Sequence, residues 1–221
     1  MHTWIKICGT TCVEDALASI AAGADALGFI LGPSKRQITP EKAQEIIQRL
    51  PRQVEKIGVF LDAGAQQIAN VVSRVDLTGI QMHGQLDFPP EVYNYLPADR
   101  RDSLRKIKTL IVRDGLLPRL DAPEEMKRTV DAWLLDSGAG SGQTFDWRRA
   151  RAQLGERAEN LIIAGGLTPQ NVAEAMAIFQ PWGVDVASGV EAEPGRKDLR
   201  KLNAFVEAVR KAERQSWAAQ H

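Results

Sequence analysis

Eight short apolar runs, separated by stretches with helical features, constrain the fold of this chain more than any other sequence feature. The runs are WIKIC, ALGFIL, EKIGVFL, LTGIQMH, LRKIKTLIV, AWLLDS, NLIIAGG and GVDVASG, beginning at Trp4, Ala26, Glu55, Leu77, Leu104, Ala132, Asn160 and Gly183. Successive runs therefore begin 22 to 29 residues apart, which leaves room for one helix and two short loops in each interval. Apolar strands that alternate with helices predict a parallel sheet covered on both faces. Eight such units predict a single α/β domain over residues 1–221, a closed (βα)8 or TIM barrel.

Local signals predict where several of the connecting helices begin and end. Thr39 and Thr168 each precede a proline, and a hydroxyl N-cap with proline at the first helical position favours a helix start. We expect helices after Thr39 and over Asn171–Phe179 on this basis. Gly23 favours the end of a helix over 14–22, because glycine readily adopts the left-handed conformation of a helix C-cap.

Two stretches give weaker helical signals. Residues 113–130 contain two prolines and little apolar periodicity, so we expect an irregular or shortened fifth helix. Apolar residues at helical spacing over 199–209 predict the last helix. Residues 213–221 follow it, and we expect this tail to be frayed.

Composition excludes several classes of partner. Lys and Arg together number 28, as do Asp and Glu, so no net charge attracts nucleic acid or an anionic membrane. No apolar stretch approaches the roughly 18–20 residues of a membrane span. We expect a small-molecule substrate, with any anion held by local groups, and no nucleic-acid or membrane partner.

Cysteine usage and the N-terminal residues bear on location. Cys8 and Cys12 are the two cysteines, too few for a disulfide framework in a domain of this size. MHTWIKICGTT lacks the basic region and long apolar run of a signal peptide. We expect a reduced, cytoplasmic protein, either a monomer or a homodimer.

Glycine-rich loops follow the sixth, seventh and eighth predicted strands. They contain Gly142, then Gly165 and Gly166, then Ser188 and Gly189. Small residues let backbone N–H groups approach an anion closely, and barrel enzymes commonly bind phosphate on their last loops. The alternative is that these glycines only form tight turns. Three such loops on adjacent strand ends favour phosphate binding.

Two side chains that can transfer protons lie at the ends of the first and sixth strands, where barrel enzymes place their chemistry. Cys8 ends the first strand, and a thiol there can act as base or nucleophile if a nearby positive charge favours the thiolate. Asp136 ends the sixth strand, where a desolvated carboxyl group suits general-acid chemistry. The alternatives are a core cysteine and an aspartate that only caps its own loop.

Polar side chains at the second and fourth strand ends are candidates for substrate contacts. Arg36 can hold a carboxylate through its planar guanidinium, or it can be a solvated loop charge. His83, beside Gln81 at the end of the fourth strand, is either a ligand contact or a rim histidine. No second His, Cys or acid cluster stands near His83 with metal-ligand spacing, so we expect no metal site.

Motifs along nearly the whole chain resemble those of the phosphoribosylanthranilate isomerase family of tryptophan biosynthesis. The early motifs are Lys6-Ile7-Cys8-Gly9, Ala26-Leu27-Gly28-Phe29-Ile30, Ser34-Lys35-Arg36, Gly58-Val59-Phe60 and Gln81-Met82-His83-Gly84. The late motifs are Leu135-Asp136-Ser137, Gly142 through Phe145-Asp146-Trp147, Ala164-Gly165-Gly166-Leu167 and Asp185-Val186-Ala187-Ser188-Gly189-Val190-Glu191. KICG together with AGGL and SGVE makes the resemblance specific.

The resemblance implies an Amadori rearrangement of N-(5-phosphoribosyl)anthranilate. Cys8 would be the general base, Asp136 the general acid, and Arg36 the partner of the anthranilate carboxylate. Gln81, His83 and Asp185 would contact the rest of the substrate. One acid and one base suffice for the reaction, so no cofactor or metal is implied. The phosphate would be bound by the following residues: Gly142, Gly165, Gly166, Ser188 and Gly189.

Two other functions compete with this interpretation. The histidine-pathway Amadori isomerase resembles this chain in fold and phosphate loops but has an aspartate at the end of the first strand, and Cys8 argues against it. A non-catalytic phosphate-binding barrel, serving as scaffold or sensor, is the other. The pairing of Cys8 with Asp136 argues against that alternative.

Overall fold

Eight parallel strands close into a barrel in the computed structural model, which describes residues 2–84, 91–96, 98–101, 103–118, 130–138, 144–154 and 160–220. The strands pair in chain order, and β1 pairs with β8 to close the barrel, with Lys6 in register with Asp185. All eight predicted strands and the barrel architecture are confirmed. The strands are β1 (Trp4–Cys8), β2 (Ala26–Ile30), β3 (Glu55–Leu61), β4 (Gly79–His83), β5 (Arg105–Ile111), β6 (Ala132–Asp136), β7 (Leu161–Ile163) and β8 (Gly183–Val186).

Helices cover the outside of the barrel. They are α1 (Val13–Ala22), α2 (Pro40–Ile47), α3 (Ala65–Arg74), α4 (Val92–Tyr95), α5 (Ala98–Arg101), α6 (Trp147–Leu154), α7 (Val172–Phe179) and α8 (Leu199–Gln220). A 3-10 helix (Ser188–Val190) and a small antiparallel hairpin, β9 (Glu191–Glu193) with β10 (Arg196–Lys197), follow β8. Within the described residues, no helix combines the length and apolar content needed to cross a bilayer.

Two helix boundaries follow the predicted capping. The Thr39 hydroxyl accepts a hydrogen bond from the Lys42 N–H, and helix α2 begins at Pro40. Gly23 has φ of 108° and its N–H bonds to Ile20 O, ending α1. Both outcomes reflect local chemistry that a few neighbouring residues determine.

Two other predictions about helix ends were wrong. Thr168 does not cap α7, which begins at Val172; its hydroxyl accepts from the Gln170 N–H in a turn that precedes the helix. The predicted frayed tail is helical to Gln220. Glu213 explains part of this, because its carboxylate bonds to both the Thr3 N–H and Arg210. The bond to Thr3 attaches the helix to the residue before β1, and Arg210 lies on the same helix.

The prediction of an irregular fifth helix concerns a stretch that the structure describes only in part. Residues 113–118 contain a turn closed by a bridge between Arg113 and Leu116. Residues 119–129 lie outside the described residues. The interval between β4 and β5, which gave no special signal, contains the two short helices α4 and α5.

The strand side chains divide the core into two layers. Alternate residues point outward and pack under the helices, and the others fill the barrel. Trp4, Ala26, Ile57, Ile107, Leu134 and Ile162 belong to the inner layer.

A group of aromatic and charged side chains closes the end of the barrel where the strands begin, and we call it the basal cluster: Trp4, Glu55, Arg105 and Trp182. The two tryptophan rings stack at 5.0 Å between centroids. The Glu55 carboxylate accepts from Trp4 Nε1 at 3.1 Å and from Arg105 Nε at 2.7 Å. The Arg105 guanidinium also lies 5.0 Å from the Trp182 ring centroid, within cation–π range.

Candidate active site

A cavity of about 590 Å³ opens at the end of the barrel where the strands finish. Its volume is typical of a small-molecule site. It is the position at which barrel enzymes bind their substrates. The lining combines apolar residues, such as Ile30, Val59 and Leu167, with the polar side chains described below.

Most of the residues predicted from the sequence meet in this cavity. Gly189 is not part of the lining; a Cβ there would lie 1.9 Å from Leu167 O, so glycine is needed where the loops after β7 and β8 touch. Gly142 lies outside the described residues. The predicted residues that line the cavity are Cys8, Arg36, Gln81, His83, Asp136, Gly165, Gly166, Asp185 and Ser188.

The Cys8 thiol lies in a narrow space at the end of β1. Gly28 is its register partner on β2, and a Cβ on Gly28 would come within 2.7 Å of Cys8 Sγ. Burial raises the pKa of Cys8, while Lys6 and Lys197 lower it; the net pKa is above its ordinary value. The positive charges that a reactive thiol requires are therefore present, although burial outweighs them.

One of these charges belongs to a buried ion pair beneath the thiol. Lys6 Nζ lies 2.8 Å from Asp185 Oδ1, and the lysine side chain is fully buried. The contact is an ion pair between an ammonium and a carboxylate. Burial lowers the pKa of Lys6, but Asp185 and Cys8 raise it to a net value above the ordinary one, which favours the ammonium form.

The predicted carboxylate-binding arginine is held by an acidic side chain. Arg36 Nε and Nη2 donate to both Glu191 carboxylate oxygens at 2.7 to 3.0 Å. Lys197 Nζ also donates to Glu191 Oε1, at 3.0 Å, and to Cys8 O. Burial acts to raise the pKa of Glu191, but these two cations hold it below its ordinary value. The Arg36 guanidinium is therefore fixed along the edge formed by Nε and Nη2, and Nη1 takes no part in these bonds.

Asp136 combines the two roles that its sequence position left open. Its Oδ1 accepts a hydrogen bond from the Gly138 N–H at 2.7 Å, as a loop-capping aspartate does. The residue also lines the cavity. A carboxyl group held in this way through one oxygen keeps its orientation and can offer the other oxygen to a ligand.

Gln81 presents a polar atom with no protein partner. Its Nε2 donates to Thr109 Oγ1 at 3.0 Å, which fixes the amide. Its Oε1 is buried and, among the described residues, has no hydrogen-bond partner. Since buried polar atoms are rarely left unpaired, this oxygen is suited to accept a hydrogen bond from a ligand.

The loops after β7 and β8 present small residues to the cavity. Gly165 and Gly166 have φ of 76° and 69°, a conformation that favours glycine. Ser188 follows the neighbouring strand, at the start of the 3-10 helix after β8. Within the described ranges, no group of three or more His, Cys, Asp or Glu side chains is arranged to hold a metal ion.

Sequence reasoning missed four of the residues that shape this site: Lys6, Thr109, Glu191 and Lys197. Lys6 had a detectable signal, because a lysine two residues before Cys8 in an apolar strand shares its face. Glu191 stands in the SGVE motif, but no local pattern pairs it with Arg36, which is 155 residues away.

Known proteins with similar sequences share one description. A family model for N-(5'-phosphoribosyl)anthranilate isomerase matches residues 5–208. The isomerase of Symbiobacterium thermophilum is 40% identical over 234 residues, covering 94% of this chain and 98% of that protein. The isomerase of a Geobacter species (strain M21) is 42% identical over 215 residues, covering 95% of this chain and 98% of that protein.

Solved structures of this kind have the same fold. The phosphoribosyl anthranilate isomerase of Thermus thermophilus superposes with a TM-score of 0.80 at 34% identity, covering 95% of this chain and 99% of the other. Another, in complex with reduced 1-(o-carboxyphenylamino)-1-deoxyribulose 5-phosphate, gives 0.73 at 34% identity, covering 95% and 100%. Monomers generated from the dimeric isomerase of Thermotoga maritima give 0.75 at 35% identity, covering 95% and 100%.

Proposed function

Because the chain belongs to the N-(5'-phosphoribosyl)anthranilate isomerase family, we propose that Cys8 and Asp136 are the base and acid of its reaction. The protein is an isomerase of tryptophan biosynthesis. The observation that carries the assignment is that a thiol on β1 and a carboxyl group on β6 face one cavity, each with neighbours that fix it.

The proposed reaction needs one proton given and one taken. Asp136 protonates the furanose ring oxygen as the C1–O bond opens, which leaves a Schiff base between C1 and the anthranilate nitrogen. The Cys8 thiolate then removes the proton from C2, and the electron pair forms the enolamine. Proton transfer from the C2 hydroxyl to C1 gives the 1-deoxyribulose ketone. Positioning of both groups supplies much of the acceleration.

The two ends of the substrate are proposed to bind opposite sides of the cavity. Arg36 receives the anthranilate carboxylate on the guanidinium edge that Glu191 does not use, because guanidinium can bind two carboxylates through different N–H pairs. The phosphate lies against Gly165, Gly166 and Ser188. Gly189 allows their two loops to approach each other, and Gly142 is a further candidate for this site.

Side chains between these anchors are proposed to hold the ribose. Gln81 Oε1 accepts a hydrogen bond from a substrate hydroxyl, which its lack of a protein partner supports. His83 and Asp185 line the cavity from β4 and β8, which lie on opposite sides of the barrel. They are proposed to contact the substrate between its carboxylate and its phosphate.

Loss of anthranilate-type fluorescence on incubation with phosphoribosylanthranilate measures the activity. We expect Cys8→Ala and Asp136→Asn each to lower kcat by about 10²- to 10⁴-fold. Binding of the reduced product analogue should stay within a few-fold, because the anchors remain. Cys12→Ser is the matched control and should retain full turnover. Near-normal turnover by Cys8→Ala would contradict the base assignment, and by Asp136→Asn the acid assignment.

A further inference from the structure

Lys6 is a charged side chain with no place in the proposed reaction, yet it lies within the barrel beside the cavity. Its side chain is fully buried, and burying an ammonium group is costly unless other groups compensate. The inner layer around it is mostly apolar, with Ala26, Ile57 and Ile162 among its members. An uncharged residue would fill this position at lower cost, so the charge itself calls for an explanation.

Lys6 and Cys8 lie side by side on the same face of β1. They are two residues apart on a strand, and so point to the same side of the sheet. A Cβ on Gly28 would come within 2.7 Å of Cys8 Sγ and 3.1 Å of Lys6 Cε. The lysine stem and the thiol therefore share the space that this glycine leaves open on β2.

Asp185 supports the charge on Lys6 from the neighbouring strand. It is the register partner of Lys6 on β8, and its Oδ1 is 2.8 Å from Nζ. The ammonium is thus held by its attraction to the Asp185 carboxylate, and the Lys6 side chain lies beside Cys8.

The other cations near the thiol are occupied elsewhere. Arg36 and Lys197 both bind Glu191, and Lys197 Nζ also donates to the backbone oxygen of Cys8 rather than to its sulfur. Asp136 influences the Lys6–Asp185 pair because its charge raises the pKa of Asp185. Among Lys6, Arg36 and Lys197, Lys6 lowers the pKa of Cys8 most.

We propose that Lys6 is a positioning residue whose ammonium group stabilises Cys8 as a thiolate, while Asp185 keeps that ammonium charged. The inference rests on the proposed role of Cys8 as the base. The neutral thiol gains nothing from a neighbouring cation, whereas the thiolate is attracted to it. Lys6 therefore sets the fraction of enzyme that is ready to remove the C2 proton.

The test measures the ionisation of Cys8 directly. A Cys12→Ser background leaves Cys8 as the only thiol in the chain, and thiolate absorbance near 240 nm follows its titration after subtraction of the Cys8→Ala, Cys12→Ser protein. Lys6→Met should raise the pKa of Cys8 by about one to three units, the usual effect of one nearby charge. Below this pKa, kcat/KM should fall about tenfold per unit, and at high pH it should approach that of the parent.

Lys56→Met is the matched control, because Lys56 is also a buried strand lysine but its Nζ donates to the carbonyls of Pro51 and Arg52. It should leave the pKa of Cys8 unchanged. A purely structural role for Lys6 would lower stability or kcat without moving the thiol titration or the pH profile. An unchanged pKa of Cys8 in folded Lys6→Met would overturn the proposal.

A second variant guards against failure of Lys6→Met to fold. Lys6→Met with Asp185→Asn removes both charges and leaves no unpaired buried carboxylate. The pKa of Cys8 should still exceed that of the parent, by less than in the single variant, since the repulsion from Asp185 is lost as well. A pKa equal to or below that of the parent would reject the proposal. The titration needs no turnover, so failure of the proposed function would appear separately, as an active Cys8→Ala enzyme.

Discussion

The basal cluster and the cavity lie at opposite ends of one barrel interior, and they differ in how their polar atoms are paired. In the basal cluster, Glu55 accepts hydrogen bonds from Trp4 and Arg105. At the cavity end, Gln81 Oε1 is buried without a hydrogen-bond partner in the described part of the chain, and Asp185 Oδ1 forms an ion pair with Lys6. Trp4 and Cys8, four residues apart on β1, belong to the two ends.

The difference indicates which end serves stability and which serves binding. Polar groups that satisfy each other stabilise the folded chain and leave nothing for a ligand. Buried polar atoms without partners cost stability, and they persist where a ligand can complete them. The comparison therefore predicts that substitutions at the two ends separate stability from activity.

The largest expected effect on stability is that of Trp4→Ala. Truncating a buried tryptophan should lower the free energy of unfolding by about 3–5 kcal/mol, measured by urea denaturation. The kcat/KM of the folded fraction should change less than about twofold, because Trp4 does not line the cavity. Cys8→Ala is the opposite case, with lost turnover and a smaller change in stability. Equal loss of activity in both variants would remove the distinction between the two ends.

The variant Glu191→Gln tests whether the ion pairs of Glu191 with Arg36 and Lys197 stabilise the cavity end of the barrel. The folded-state pKa of Glu191 lies below the ordinary 4.5, so its ion pairs stabilise the fold above that pH, and this stabilisation is lost as pH falls through the lower value. Glu191→Gln should lower the free energy of unfolding by about 2–3 kcal/mol at pH 7. It should also make the decline below pH 4.5 shallower than in the parent. An identical acid slope in both proteins would contradict this.

Gln81→Met should have the smallest effect of these substitutions, and it should weaken substrate binding more than it lowers the free energy of unfolding. The variant loses one hydrogen bond to Thr109 but also removes the unpartnered Oε1. We expect the free energy of unfolding to change by less than about 1 kcal/mol and KM to rise up to about tenfold, measured by denaturation and steady-state kinetics. Thr109→Val is the control that keeps Oε1 and should raise KM less. A stability loss above about 2 kcal/mol with unchanged KM would assign Gln81 to the core.

The strands and the strand-end residues could be predicted because they depend on short-range patterns. Runs such as WIKIC and NLIIAGG carry the apolar signature of buried parallel strands, and the residues at and just after the strand ends mark the face of the barrel where a cavity is expected. The cap at Thr39 is equally local. The Thr168 prediction was wrong because the same Thr-Pro pair can form a turn before the helix begins.

The partnerships within the site could not be predicted, because they join residues that are distant in the chain. The sequence is compatible with Arg36 as a solvated charge or as a group that binds a ligand carboxylate. In the structure, its carboxylate partner is Glu191. Lys6 appeared as one polar residue in an apolar strand, and only the closing of β8 against β1 brings Asp185 beside it. The helical tail depends in the same way on contacts with Thr3.

Closure of the barrel between β1 and β8 also has a consequence for how the chain folds. The Lys6–Asp185 and Arg36–Glu191 pairs connect the first two βα units to the eighth. The entropy lost on closing a loop grows with its length, so these pairs are among the costliest contacts to bring together in an unfolded chain. The Cys8 thiol lies at this seam, and its electrostatic surroundings depend on these long-range pairs as well as on Lys6 of its own strand.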